Sequence, residues 1–236
     1  MLKVSIVIPT YNEVDNLEIL VNEIFSSLNK EIIDAEIIIV DDNSPDGTGD
    51  FAEKLSRNLA IKVIHRSGKM GLGSAVIAGF NLSDRDYLGV MDGDLSHDPA
   101  ILNALIQSLN ENDIAIGSRF TEGSEVEGWN FFRKILSLTG VGLGRLLAGN
   151  YDILSGYFFI KRNVIKDVPL NTKGYKILFE ILMRGNHQSV SEHSFTFRKR
   201  INSTSKLNSE EYWLFLKQLL SFGYLKIKSK CLPQKK

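Results

Sequence analysis

Asp92 and Asp94 stand one residue apart, across Gly93, directly after the apolar run Tyr87 to Met91. Two carboxylates spaced in this way can share one hard divalent cation, and such a cation also takes oxygens from a diphosphate. There it would act as Lewis acid and template, neutralising charge on a departing nucleoside diphosphate. A D-x-D pair alone is a weak signal, because aspartates are common in loops. Two further acidic groups strengthen it. Asp41 and Asp42 end the apolar run Ile37 to Val40, and Glu13 follows the run Val4 to Ile8. A carboxylate at a strand end can accept hydrogen bonds from the donor edge of a base or from ribose hydroxyls. Glu13 also suits a capping role at the helix that follows, and the two roles are compatible.

The basic candidates are Arg119, Arg133, Arg200 and Lys206. An arginine fork suits phosphate oxygens, although any one surface arginine, taken singly, is better read as solvated. Gly71 and Gly73 resemble part of a dinucleotide fingerprint, but the third glycine is missing and hydride chemistry is disfavoured. His65, His97, His187 and His193 show no metal-ligand or triad spacing. Cys231 lies in the tail and is a poor nucleophile candidate.

These groups need elements to hold them together. Five short apolar runs, Val4 to Ile8, Ile37 to Val40, Ile61 to Ile64, Tyr87 to Met91 and Ile114 to Ile116, read as strands with helical patterns between them. Val14, Leu17, Val21, Ile24 and Leu28 keep a helical period, with Asn12 as the expected N-cap. Gly71 to Leu82 and Pro99 to Leu109 read as two more helices. Alternating strands and helices imply a mostly parallel sheet covered on both faces, so that ligands meet the carboxyl ends of the strands. The acidic clusters all fall there, where their mutual repulsion calls for a cation or ligand donors.

The second half is less regular. Phe131 to Leu147 reads as a helix with Arg133, Ser137, Gly140 and Gly144 along one face; Tyr157 to Ile160 and Ser194 to Arg200 read as strands, and Gly174 to Arg184 as a helix. Residues 209–226 are strongly apolar but interrupted by Lys217 and Gln218, too short to span a bilayer. Two readings stand side by side. The segment lies in a membrane interface with Tyr212, Trp213 and Tyr224 as anchors, or it docks on the domain or at a dimer contact.

The chain of 236 residues suits one substantial domain plus a terminal appendage. Its 28 basic and 28 acidic residues exclude a generally basic nucleic-acid binder, although the tail from Lys226 carries five lysines and no acid. A single cysteine excludes an intrachain disulfide framework. The start MLKVSIVIPTYNE reads as a strand and lacks the longer apolar segment of a secretory signal.

Taken together, PTYNE, DDNSPDGT, KMGLGSA, MDGDLSHDP, GSRF, the tryptophan and Phe-Arg of 129–133, the D..SG of Asp152 to Gly156, and Arg200 to Leu207 resemble the dolichol-phosphate mannosyltransferases of glycosyltransferase family two. The resemblance runs over nearly the whole chain in the family's order. It implies an α/β GT-A fold over 1–207, followed by an amphipathic helix and basic tail over 208–236. It implies inverting transfer of mannose from GDP-mannose to the phosphate of dolichol or another polyprenol, with Mg2+ or Mn2+ as cofactor. Within that reading Pro9, Tyr11, Glu13 and Asp42 contact the nucleoside, with Asp41 and Lys69 in the substrate-binding set. Asp92, Gly93 and Asp94 hold metal and diphosphate, and Ser96 stands where the family often has a third ligand, a glutamine. Arg119, Arg133, Ser137 and Arg200 surround the acceptor phosphate with Lys206 nearby; the reacting groups are held by Asp94, Arg119, Arg133 and Arg200. Gly93 replaces the family's usual alanine, and Ser203 its usual glycine.

The expected setting is peripheral, at the cytoplasmic face of a membrane, by way of the chain's own interface helix or a membrane partner protein. Two other readings remain open: a polyprenyl-phosphate glucosyltransferase using UDP-glucose, and a non-catalytic nucleotide-binding subunit. Guanine offers two donors to one carboxylate where uracil offers one, so Asp42 suits guanine somewhat better.

Overall fold

The computed structural model describes residues 1–127, 131–149, 151–170, 176–200 and 214–224, the side chains of 131–138 apart. Strand β1 (Leu2–Thr10) lies between β2 (Ile33–Asp41) and β4 (Tyr87–Val90), and β3 (Ile61–His65) lies outside β2, all four parallel. These strands are apolar without alternation because both faces are covered. Val4, Ile6, Ile8, Ile37 and Ile39 pack into one core, whereas Val7, Ile38 and Val40 pack into the other. Helices α1 (Val14–Ser27), α2 (Thr48–Ser56) and α4 (Leu102–Ser108) contribute to the first core. Helices α3 (Leu72–Leu82) and α6 (Ile177–Arg184) contribute to the second.

The expected mostly parallel sheet, flanked by helices, is what forms; with β5 (Ile114–Ser118), β7 (Phe158–Lys161) and β8 (Val190–Ser194) it reaches seven strands among the described residues, in the order β3-β2-β1-β4-β7-β5-β8. Its second half departs from the alternation. Strand β7 (Phe158–Lys161) runs antiparallel between β4 and β5 (Ile114–Ser118), with Phe158 opposite both Val90 and Ile116. This reversal has a direct consequence for chemistry. The residues that precede β7, Asp152 to Gly156, reach the same edge as the residues that follow β4 and β5, Asp92 and Arg119.

Strand β8 (Val190–Ser194) pairs parallel to β5, and the chain then leaves the main sheet. Two residues, β9 (Thr196–Phe197), pair with β6 (Glu125–Val126) in a second small sheet, and Phe197 also bridges to His97. The single strand expected over Ser194 to Arg200 is thus two short pieces separated by Phe195, because the ladder partner changes from β5 to β6. The first helix also differs at its start. Glu13, not Asn12, occupies the N-cap, and Asn12 adopts a left-handed φ of 59° with its N–H donating to the Ser44 hydroxyl at 3.0 Å. Helix α2, not anticipated from periodicity, follows a turn in which Asp46 accepts from Thr48 and from the Val14 N–H. Burial opposes the charge on Asp46, but these hydrogen bonds outweigh it and hold the carboxyl below its usual range.

Helix α5 (Phe131–Ala148) carries Arg133, Ser137, Gly140 and Gly144 in register along its axis. A Cβ at Gly144 would stand 1.8 Å from Ile153, and one at Gly140 would stand 3.2 Å from Leu154 and 3.4 Å from Phe215. The small residues therefore let the Asp152 loop and a further helix, α7 (214–224), approach closely. Phe215, Leu219 and Phe222 of α7 are buried in the second core, with Phe179 against both phenylalanines. This face of α7 is docked. Its other side leaves Leu214, Leu216, Leu220 and Tyr224 exposed.

Candidate active site

The turn after β4 is held in one shape by its own residues. The Asp92 N–H donates to His97 Nδ1 at 3.0 Å, closing the turn. Leu95, buried in the first core, takes a left-handed φ of 63°, a conformation that costs a leucine about 1–2 kcal/mol. That kink turns Ser96 back, so its N–H and hydroxyl donate to Asp94 Oδ1 at 3.1 and 2.5 Å. Ser96 is fully buried and spent on supporting Asp94, whereas the Asp92 side chain is 26% exposed. His97 sits in an aromatic box, stacked on Tyr157 at 4.9 Å and met edge-on by Phe195 and Phe197. Burial holds the His97 pKa below its ordinary value despite the pull of Asp92 and Asp94, and pushes the Tyr157 phenol well above its own.

The second half of the chain covers this turn. Arg198 donates to Glu23 at 2.9 Å and to Asp98 at 2.7 Å, and its backbone N–H to the Ser96 carbonyl. With that clamp in place, Arg200 lies over the turn, its Nε 2.7 Å from Asp94 Oδ2, a charge contact without an aligned hydrogen bond. Gly156 closes the other side. A Cβ there would stand 3.1 Å from Asp92 Oδ1 and 3.3 Å from His97 Cε1, so a larger residue would press on the Asp92 carboxylate and the His97 ring.

Arg119 follows β5 and meets Asp152, which the reversed strand β7 delivers to the same edge. Its Nε and Nη2 each donate to Asp152 at 2.8 Å, a two-point fork, and its backbone N–H adds a third bond at 3.1 Å. Asp152 is fully buried, its charge met by the guanidinium and the Arg119 amide together; its own N–H donates to Glu192 at 2.8 Å. Burial opposes the Arg119 charge, and Asp152 more than restores it, leaving the arginine pKa raised. The fork that sequence alone suggested for an acceptor phosphate is thus engaged by a carboxylate.

At the β1 and β2 ends, Asp41 accepts from the Thr10 and Ser44 hydroxyls at 3.1 and 2.5 Å and from the Ser44 N–H at 2.9 Å. Asp41 therefore braces the loop. Asp42 faces the other way, with Oδ1 3.1 Å from Arg66 Nη1 and Oδ2 accepting from the Met70 N–H. Burial pushes the Asp42 pKa up despite Arg66. Lys69, beside Met70, stands 5.0 Å over the Tyr11 ring, a cation–π contact. Glu13 accepts from Asn16 Nδ2 at 2.8 Å, and its carbonyl starts α1. Pro9 and Gly93 meet as neighbours, with the Pro9 carbonyl 3.5 Å from where a Gly93 Cβ would lie.

The structure thus brings Pro9, Tyr11, Glu13, Asp41, Asp42, Lys69, Asp92, Gly93, Asp94, Ser96, Arg119 and Arg200 to one edge of the sheet. Arg133 and Ser137 are placed on α5 by backbone only, and Lys206 lies outside the described residues. Sequence reading missed Arg66, Asp152 as a partner for Arg119, and His97. A signal existed for Arg66: it follows β3 as Asp42 follows β2, and Asp41 pairs with His65 in the ladder. A signal existed for His97 in its place three residues after Asp94.

A mostly parallel α/β sheet with paired carboxylates after a central strand, faced by arginines, defines the class of GT-A glycosyltransferases. Residues 5–169 match the family description "Glycosyl transferase family 2", and the chain belongs to that family. It is 42% identical over 225 residues to a dolichol-phosphate mannosyltransferase of Pyrococcus furiosus, covering 92% of this chain and 63% of that protein's length. It is 37% identical over 218 residues to a polyprenol monophosphomannose synthase of Mycolicibacterium smegmatis, covering 86% of this chain and 80% of the relative. The fold is also similar to that of glucosyl-3-phosphoglycerate synthase from Mycobacterium tuberculosis, solved with Mn2+, UDP and glucosyl-3-phosphoglycerate. There the TM-score is 0.68 at 19% identity, covering 99% of this chain and 81% of that one.

Proposed function

We propose that this enzyme transfers mannose, with inversion, from GDP-mannose to the phosphate of dolichol or another polyprenol. The observation that carries the reading is the Asp92–Asp94 turn facing Arg200, in a chain 42% identical to a dolichol-phosphate mannosyltransferase. The donor set fits a divalent cation such as Mg2+ or Mn2+. Asp92 and Asp94 offer hard oxygens, and among the described residues no third His, Cys, Asp or Glu joins them in a metal-holding group. Mg2+ in such sites is commonly bound by one or two carboxylates with substrate phosphates completing its shell. When bound, the cation would supply electrostatic stabilisation of the departing diphosphate.

The chain's own residues do the rest. Asp42 accepts from the base, held off its Arg66 partner by the donor edge of guanine, and Lys69 with Tyr11 borders the nucleoside. Arg200, with Arg133, Ser137 and Lys206, draws the acceptor phosphate towards the anomeric carbon. A phosphate monoester has a second pKa near 6, so its dianion is available at neutral pH without a protein base. Arg119 contributes a fixed positive field beside Asp92 rather than a free fork. Catalysis is then chiefly positioning and charge stabilisation.

The acceptor calls for a lipid surface. No described helix is long and apolar enough to cross a membrane. Leu143 and Leu146 on α5 and Leu220 and Tyr224 on α7 are exposed on the two helices that meet at Gly140 and Gly144. With the lysine-rich tail, they support peripheral attachment at a cytoplasmic membrane face, alone or with a membrane partner protein.

The test is to incubate the protein with Mn2+, a polyprenyl phosphate and labelled GDP-mannose or UDP-glucose, and to count label in the organic phase. Label from GDP-mannose alone supports the proposal. Label from UDP-glucose would replace the donor, and label from neither, with nucleotide still bound, would favour a non-catalytic subunit.

A further inference from the structure

The His97 ring holds the Asp92 backbone through one hydrogen bond and faces its carboxylate with the other nitrogen. Nδ1 accepts the Asp92 backbone N–H at 3.0 Å, and Nε2 lies 3.6 Å from Asp92 Oδ2. A ring nitrogen that accepts an N–H must present a lone pair, so the ring's proton sits on Nε2, facing the carboxylate. The ring cannot turn away. Tyr157 stacks on one face at an interplanar angle of 7°, Phe195 and Phe197 press edge-on, and the Gly156 backbone closes the gap beside Cε1. His97 is 2% exposed and its lone pair is already committed, so it is not a proton acceptor for a substrate.

We propose that His97 is the positioning residue for Asp92: a neutral, Nε2-protonated imidazole that fixes both the backbone entry and the carboxylate direction of one cation ligand. Histidine is suited to this because no other side chain offers an acceptor and a donor on one rigid ring. A phenylalanine would fill the box and hold neither atom. The Asp94 carboxylate has its own separate brace in Ser96, so the two carboxylates are oriented by independent groups.

This inference rests on the reading that Asp92 holds a divalent cation, and the test separates the two. Mn2+ binding is measured by the free-ion electron paramagnetic resonance signal, in the presence of GDP, for wild type and for His97→Phe, His97→Asn and His97→Gln. Unfolding midpoints are recorded in parallel. An asparagine oxygen falls near the place of Nδ1 and can accept the Asp92 N–H; a glutamine amide falls near Nε2. Loss of an orienting partner of a metal ligand typically weakens metal binding about 10–100-fold, the loss expected for His97→Phe. His97→Asn should recover much of that affinity although it unfolds more readily than His97→Phe, since it leaves the box underfilled. This opposite ranking of affinity and stability is what a merely structural histidine would not give. If affinity follows stability across the three variants, or if His97→Phe binds Mn2+ as wild type does, the positioning role is wrong. Should His97→Phe not fold, asparagine must still bind Mn2+ more tightly than glutamine, and equal affinities overturn the proposal. A wild type that binds no Mn2+ would instead sink the cation reading itself.

Discussion

Arg200 Nε lies 2.7 Å from Asp94 Oδ2, so one of the two strand-end carboxylates is balanced by a cation of the chain itself. Arg200 reaches that place because Arg198 is clamped to Glu23 and Asp98 and the Phe197 backbone bridges to His97. An arginine there can face an acceptor phosphate while remaining beside the diphosphate site.

Arg200→Ala therefore removes attraction for the acceptor and also removes a competitor for Asp94. A charge-assisted hydrogen bond from Arg200 to the acceptor phosphate would be worth about 1.5–3 kcal/mol, or roughly 10–150-fold in kcat/KM for the polyprenyl phosphate. Affinity for Mn2+ with GDP should hold or rise. Paired titrations, rate against acceptor and calorimetry with Mn2+ and GDP, check this. A loss confined to the Mn2+ and GDP titration would make Arg200 a donor-site residue.

The Arg119–Asp152 pair makes a different prediction. Asp152 is fully buried and Arg119 is 11% exposed at its side chain, so removing one partner strands a charge. Breaking such a pair costs about 3–5 kcal/mol. Asp152→Ala should lower the urea midpoint accordingly, with the denaturant slope unchanged. A shift equivalent to less than about 1 kcal/mol would mean the pair is solvated in practice. The sign of the effect on catalysis follows, since a freed Arg119 would no longer hold its place beside Asp92.

Which parts of this site were legible in the sequence follows from how local each part is. Asp41, Asp42, Asp92 and Asp94 follow apolar runs directly, and a parallel sheet gathers such strand ends without further information. The D..SG stretch was visible as a motif, but the run Phe158 to Ile160 carries no mark of its direction. Only the antiparallel pairing of β7 with β4 and β5 sets Asp152 against Arg119, 33 residues away in sequence. For the same reason the spacing of Arg119 could not show that its fork is already occupied. Asn12 misled as an N-cap because its composition suits that position, yet a tertiary contact, its N–H to Ser44, holds it left-handed one residue earlier.

Gly93→Ala tests the turn from the other direction. A Cβ at Gly93 would meet Thr10 Cγ2 at 3.4 Å, Glu13 Cγ at 3.5 Å and the Pro9 carbonyl at 3.5 Å, and Gly93 is not among the positive-φ glycines. An alanine fits there with ordinary contact. It should stabilise the protein by about 0.4–1 kcal/mol by restricting the unfolded chain, and leave the rate within about twofold, under 0.5 kcal/mol of barrier. Destabilisation in thermal unfolding would show that the turn needs a tighter approach between Gly93 and β1 than these distances give.

The last prediction concerns the outward side of α5 and α7. Deleting α7 would not isolate membrane attachment, because Phe215, Leu219 and Phe222 are buried in the second core and their loss would damage the fold. The discriminating changes are Leu146→Glu and Leu220→Glu. Leu146 is 78% exposed and Leu220 is 74% exposed, so neither should alter the unfolding midpoint appreciably. At an anionic bilayer, however, each would replace an inserting leucine by a repelled carboxylate. The double variant should lose co-sedimentation with phosphatidylserine-containing vesicles while retaining calorimetric binding of Mn2+ and GDP. Its transfer rate should fall towards polyprenyl phosphate in vesicles and hold towards a short, water-soluble polyprenyl phosphate. Co-sedimentation equal to that of wild type would remove these leucines from the membrane contact, and equal rate losses on both acceptors would place the effect in the active site.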